Sequence, residues 1–120
     1  MTMRITSIKD RGDIDKERIV MSVEKEVDVG SFLMLQTGVR NDSPTTGVRK
    51  TFWFSDQTAS KGDLVVLYSK KGAKKQKQNP SGITTHFFYW GESASLWSGI
   101  DRAAVLVEAD SWQGFTPDDF

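Results

Sequence analysis

Apolar side chains in this chain recur mostly at every second position, in short runs rich in β-branched and aromatic residues and broken by Gly, Asp, Asn, Ser and Pro. A period of two places alternate side chains on opposite faces of an extended strand. Seven strands are predicted. Met3–Lys9 is the first, closed by a polar turn over Asp10–Lys16. In Arg18–Val23, Ile19, Met21 and Val23 share a face, and in Ser31–Gln36 Leu33 and Leu35 oppose Phe32 and Met34, with Val29-Gly30 as the turn between these two strands. Val48–Phe54 sets Val48, Phe52 and Phe54 on one side. Asp63–Ser69 is apolar on both faces through Leu64, Val65, Val66 and Leu67, the mark of a central strand. Thr84–Trp90 and Ala103–Ala109 complete the set.

The connections are predicted from their turn formers. Thr37–Gly47 contains Gly38, Asn41, Asp42, Ser43, Pro44 and Gly47, a density that predicts irregular structure. Gly91–Asp101 reads as a loop with one helical turn near Ser93–Trp97. No amphipathic helix longer than about three turns can be drawn anywhere. The fold class that follows is all-β, an immunoglobulin-like β-sandwich of about seven to nine strands.

At 120 residues the chain suits a single domain, read as 1–120 with a core over about 3–110 and an acidic C-terminal strap over 111–120. Seven Phe, two Tyr and four Trp are the bulk available to that core. Sixteen basic and sixteen acidic residues cancel, so no global field draws the chain to nucleic acid or to an anionic membrane, and any charged partner must be met by a local patch. With no cysteine, no leader-like segment and no long apolar run, the chain reads as cytoplasmic and without membrane contact.

The order of several short motifs resembles the lamin tail domain family. The pieces are Glu17–Met21; Val27-Asp28-Val29-Gly30-Ser31-Phe32; Phe52-Trp53-Phe54-Ser55-Asp56-Gln57-Thr58; Gly62-Asp63-Leu64-Val65-Val66-Leu67; Leu96-Trp97-Ser98; and the closing strand Ala103–Val107. The resemblance covers roughly Ile5 to Asp110, and the departures, at Val23, Ser55 and Ser98, fall at turns or strand ends. The resemblance implies an immunoglobulin-like sandwich that binds or targets and does not catalyse.

The residues themselves offer little chemistry. His86 is the only histidine, which excludes multi-histidine metal motifs within one chain, and its place between Thr85 and Phe87 reads as a structural or surface position on a strand. Neither a Gly-x-Ser-x-Gly elbow nor a phosphate-binding Gly-rich loop occurs. The acidic run Asp10–Glu17 lacks the glycine and terminal Glu spacing of a calcium loop and reads as a solvated turn. Arg11-Gly12-Asp13 and Asn41-Asp42-Ser43 match an integrin tripeptide and a glycosylation sequon, and neither string is specific enough to carry a function. No catalytic, cofactor-binding or metal-ligating residue is assigned.

Two features remain. Lys70, Lys71, Lys74, Lys75 and Lys77 place five lysines in eight positions on a predicted loop that ends at a turn, a cluster suited to phosphate backbones or an acidic partner, with Arg49 and Lys50 expected nearby. The plainer reading of the same lysines is a solvated loop that guards the adjoining strand edge against aggregation. The run Phe87-Phe88-Tyr89-Trp90 must send half its rings inward, and Phe88 and Trp90, with Trp53, are the candidate interaction aromatics. The leading expectation is a non-catalytic module that binds a protein partner or a second copy of itself through a sheet face or edge. The alternative is nucleic-acid binding through the lysine-rich segment 70–77.

Overall fold

The computed structural model describes residues 1–120. The chain is all-β, with ten strands: β1 Met3–Lys9, β2 Arg18–Val23, β3 Val27–Asp28, β4 Phe32–Arg40, β5 Ser43–Trp53, β6 Thr58–Ala59, β7 Leu64–Tyr68, β8 Lys75–Gln78, β9 Thr84–Tyr89 and β10 Ala103–Glu108. Five form a sheet in the order β1-β2-β7-β9-β8, three form a second sheet in the order β10-β4-β5, and β3 pairs with β6. The only helical pieces are 3₁₀ turns at Val29–Ser31 and Pro117–Asp119. No helix is long and apolar enough to cross a membrane.

One hydrophobic cluster lies between the two larger sheets, and alternation decides its membership. Ile19, Met21 and Val23 of β2 point inward with Met3, Val65, Leu67 and Phe88, against Phe32, Met34 and Phe54 from the opposite side. A chain of aromatic contacts binds the layers: Phe88 meets Phe54 edge-on at 5.1 Å, Phe54 meets Phe52 at 5.1 Å, Phe52 meets Trp90 at 5.6 Å and Trp90 meets Trp97 at 6.1 Å. Such pairs add roughly 0.5–1.5 kcal/mol each beyond the burial of their area.

The predicted strands occur, and two predicted loops do not. Thr37–Gly47 is not irregular, because β4 and β5 continue through it as a long hairpin in which Val39 pairs with Pro44 and Arg40 with Ser43. Only Asn41 and Asp42 form the turn, both left-handed at φ 52° and 60°, the geometry of a two-residue type I′ connection. Gly38, Pro44 and Gly47 sit within strands. Proline is tolerated there because β5 is an edge strand. The lysine-rich segment is likewise half strand, with Lys75–Gln78 pairing antiparallel to β9 as β8. No helical turn forms over Ser93–Trp97; the segment instead carries Leu96 and Trp97 into the core at 3% and 2% exposure.

One pairing has no signature in the local pattern. The chain leaves β7, builds β8 at the far edge and returns as β9 between them, so β7 and β9 run parallel, with Leu67 beside Phe88 and Tyr68 beside Tyr89. This brings two sequence-distant aromatic strands side by side.

The hairpin assignment has a direct test. Glycine accepts left-handed φ without the clash a Cβ meets, so Asp42→Gly is expected to raise stability by about 0.5 kcal/mol in urea denaturation. A flexible loop at 37–47 would lose stability on the same substitution.

Candidate nucleic-acid interface

The parallel β7–β9 register sorts the aromatics of both strands. Leu67 and Phe88 point into the core, so their neighbours Tyr68, Phe87 and Tyr89 stand on the outer face of the five-stranded sheet. Tyr68 stacks against Tyr89 at 5.4 Å and 10°, and against Phe87 at 6.4 Å and 29°. Cations border the stack. The Lys70 ammonium lies 5.1 Å from the Tyr68 ring centre, the Arg18 guanidinium 5.9 Å from the same ring, and the Lys75 ammonium 5.7 Å from Phe87. On β8, Lys75 pairs with Phe87 and Lys77 with Thr85, which extends the positive charge along the sheet edge.

The five lysines differ in what they do. None has a carboxylate within ion-pair distance. Lys74 is engaged within the fold, donating to the Asp56 carbonyl at 2.7 Å and lying 5.3 Å from the Phe88 ring. Lys70, Lys71, Lys75 and Lys77 are left as charges without an acidic partner. Between them Gly72 passes so close to Tyr89 that a Cβ would stand 2.5 Å from the ring, so a side chain there would push the segment off the aromatic face.

Arg49 and Lys50 do not join this group. They belong to β5 in the other sheet, where Arg49 pairs with Asp101 at 3.4 Å and Lys50 with Glu92 at 2.7 Å. Both line a polar cleft of about 310 Å³ with Gln36, Ser95 and Arg102. Lys50 approaches the lysine segment only through Glu92, whose backbone N–H donates to the Ser69 carbonyl. The expected interaction aromatics also separate. Phe88 is core at 2% exposure, Trp90 packs against the core, and only Trp53 is exposed, donating from Nε1 to the Gly30 carbonyl and meeting Trp112 edge-on at 4.7 Å. Strand parity assigned the inward and outward halves of Phe87–Trp90 once the β9 register was formed. The residues that line the face beside the lysines, Phe87, Tyr89 and Tyr68, were not singled out in the sequence as interaction aromatics.

Two buried carboxylates hold this region in place. Glu17 is fully buried, and its carboxylate accepts from the backbone N–H groups of Gly12 at 2.9 Å, Leu96 at 2.9 Å and Trp97 at 3.3 Å, and from the hydroxyls of Ser69 and Ser95. Ser69 lies between Tyr68 and Lys70, so Glu17 sets the start of the lysine segment. Burial by itself would raise the Glu17 pKa, but the donors from Gly12, Ser69, Ser95 and Leu96 outweigh it and hold the group below its ordinary value. Asp63 accepts from His86 Nε2 at 2.9 Å and from the backbone N–H groups of Ser60 and Thr84. It thereby ties the turn before β7 to the start of β9. Its pKa is also lowered: burial opposes ionisation, and the His86 hydrogen bond and the two N–H groups prevail. His86 is 3% exposed and its Nδ1 has no partner, so this imidazole is a fixed member of the inner layer.

Neither the family models nor the curated proteins nor the solved structures compared with this chain yield a match. The reading of the site therefore rests on its own chemistry.

Depressed native pKa values mean that ionised Glu17 and Asp63 stabilise the fold at neutral pH, and that this contribution is lost as pH falls from about 4.5 and 3.8, their ordinary values, through the lower native ones. Urea midpoints are expected to be flat near neutrality and to drop across that acid range. Glu17→Gln presents an amide N–H where some of these donors point, and is expected to cost about 3 kcal/mol at pH 7 and to shrink the acid dependence.

Proposed function

We propose that the chain is a non-catalytic binding module whose outer five-stranded face takes the phosphate backbone of nucleic acid. One observation supports this above the others: Lys70, Lys71, Lys75 and Lys77 carry no acidic partner, and Lys70 and Lys75 lie against the stacked rings of Tyr68 and Phe87. Because those rings stack on one another, they offer edges and phenol hydroxyls more than open faces. The binding chemistry is then ammonium and hydroxyl donation to phosphate oxygens, with base stacking confined to the ends of the stack. Such contacts are independent of sequence. A non-catalytic role is supported by the burial of the only imidazole against Asp63, out of reach of a dissolved substrate.

Lamin-tail character belongs to the same proposal. Its supporting observation is that five of the six motifs fall on β2, β3, the end of β5 with β6, β7 and β10, while Leu96-Trp97-Ser98 lies in the connection before β10 and sends Leu96 and Trp97 into the core. A cytoplasmic setting is supported by a core closed without any disulfide. A second reading, recognition of a protein partner through a sheet face or edge, has separate support from the other sheet.

Titration of fluorescent single- and double-stranded DNA at low and moderate salt tests the main reading. Log affinity is expected to fall linearly with log salt; changing Lys70, Lys71, Lys75 and Lys77 together to Gln should weaken binding and remove about three to four ion-release equivalents of slope, and changing them to Glu should abolish binding. Arg49→Glu should change little. Absence of binding at low salt to either form would end the proposal.

A further inference from the structure

Strand edges expose unpaired N–H and C=O groups, and proteins usually blunt them. Three of the four edges of the larger sheets are blunted here. β8 carries Lys75 and Lys77; β1 has an irregularity between Ile5 and Ser7 and carries Arg4 and Lys9; β5 has two register shifts, Pro44, Arg49 and Lys50. The fourth edge, β10, is different. It reads Ala-Ala-Val-Leu-Val-Glu, pairs with β4 in unbroken register and has no hydrogen-bonded neighbour on its other side.

From this edge we infer that the chain forms a two-fold homodimer by antiparallel pairing of β10 with β10 of a second copy. The register can be derived. Ala109 donates its N–H to the Ser31 carbonyl, so in an unbroken antiparallel ladder Val107, Val105 and Ala103 also bond to β4. The backbone groups of Ala104, Leu106 and Glu108 then face outward, free to pair. A self-complementary antiparallel pair must join outward-facing residues to outward-facing residues. Placing the two-fold axis at Val105 does so, with Ala104 opposite Leu106 of the second copy.

Charge selects this register from its neighbours. With the axis at Val105, Arg102, which directly precedes the strand, lies opposite Glu108 of the second copy, and the match occurs at both ends. Moving the axis to Ala104 sets Arg102 opposite Leu106, and moving it to Leu106 sets Arg102 opposite Asp110, two positions past the end of β10, so the Val105 axis is the one that matches charges at the ends of the strand. Both groups retain capacity: Arg102 uses Nη1 on the Ser95 and Leu96 carbonyls, and Glu108 accepts only from Thr2. On the outer face, Val105 and Val107 would join Leu33 and Leu35 in one apolar strip across the axis. This surface lies in the opposite sheet from the lysines, so it is independent of nucleic-acid binding.

Sedimentation velocity over a concentration series is expected to show wild-type mass rising from one chain to two. Val105 sits opposite itself and faces away from the core, so Val105→Lys and Val105→Glu should each keep the wild-type circular dichroism spectrum, and the wild-type melting midpoint at dilutions where wild type is a single chain, yet sediment as single chains throughout the series. Mixing the two variants should restore a dimer, because Lys then faces Glu across the axis. A wild-type chain that stays single up to its solubility limit would overturn the inference, as would variants that associate as wild type or a mixture that fails to recover.

Discussion

The arrangement depends on a fully buried carboxylate. Glu17 stands at the start of β2, where its own carbonyl accepts from Ser69 N–H, and its side chain gathers donors from the Asp10–Lys16 turn, the end of β7 and the connection before β10. A buried charge is costly unless its oxygens are hydrogen-bonded, and here both are. The consequence is geometric. Three segments distant in sequence are held at one end of the sandwich, among them Leu96 and Trp97, which plug the core, and Ser69, from which the lysine segment departs.

Asp63 does comparable work near the other end of β7. By accepting from Ser60, Thr84 and His86 it fixes where β9 begins beside β7, and the parallel register carries that placement along to Tyr68 and Tyr89. The stack on the outer face is thus set by polar groups of the inner layer, through the backbone. A chain of zero net charge acquires a one-signed patch in this way. Local folding leaves four lysines of one segment without acids, while basic residues of the other sheet, Arg49 and Lys50, face acids at 3.4 Å and 2.7 Å.

Legibility in the sequence followed the range of the interactions. Met3–Lys9 and Arg18–Val23 were predicted with their observed bounds, because alternation is a property of consecutive residues. Thr37–Gly47 misled because turn-forming residues were counted by density. Only Asn41 and Asp42 adopt left-handed φ, and the others are tolerated in an edge hairpin. The lysine segment was visible as composition, but not that β8 would form within it, since lysine and glutamine have no strand signature apart from a neighbour to pair with.

The sequence by itself determined the all-β class, most strands, the inward residues of β2 and the presence of a lysine cluster, since each is written in spacing or composition over a few residues. Tertiary structure alone decided that Phe88 is core while Phe87 and Tyr89 are surface, that Arg49 and Lys50 go to acids in the other sheet, and that Glu17 and Asp63 are the buried anchors. Those outcomes depend on which strands become neighbours and in what register. A carboxylate among sixteen acquires its donors only after segments dozens of positions apart have been brought together, and no local pattern encodes that meeting.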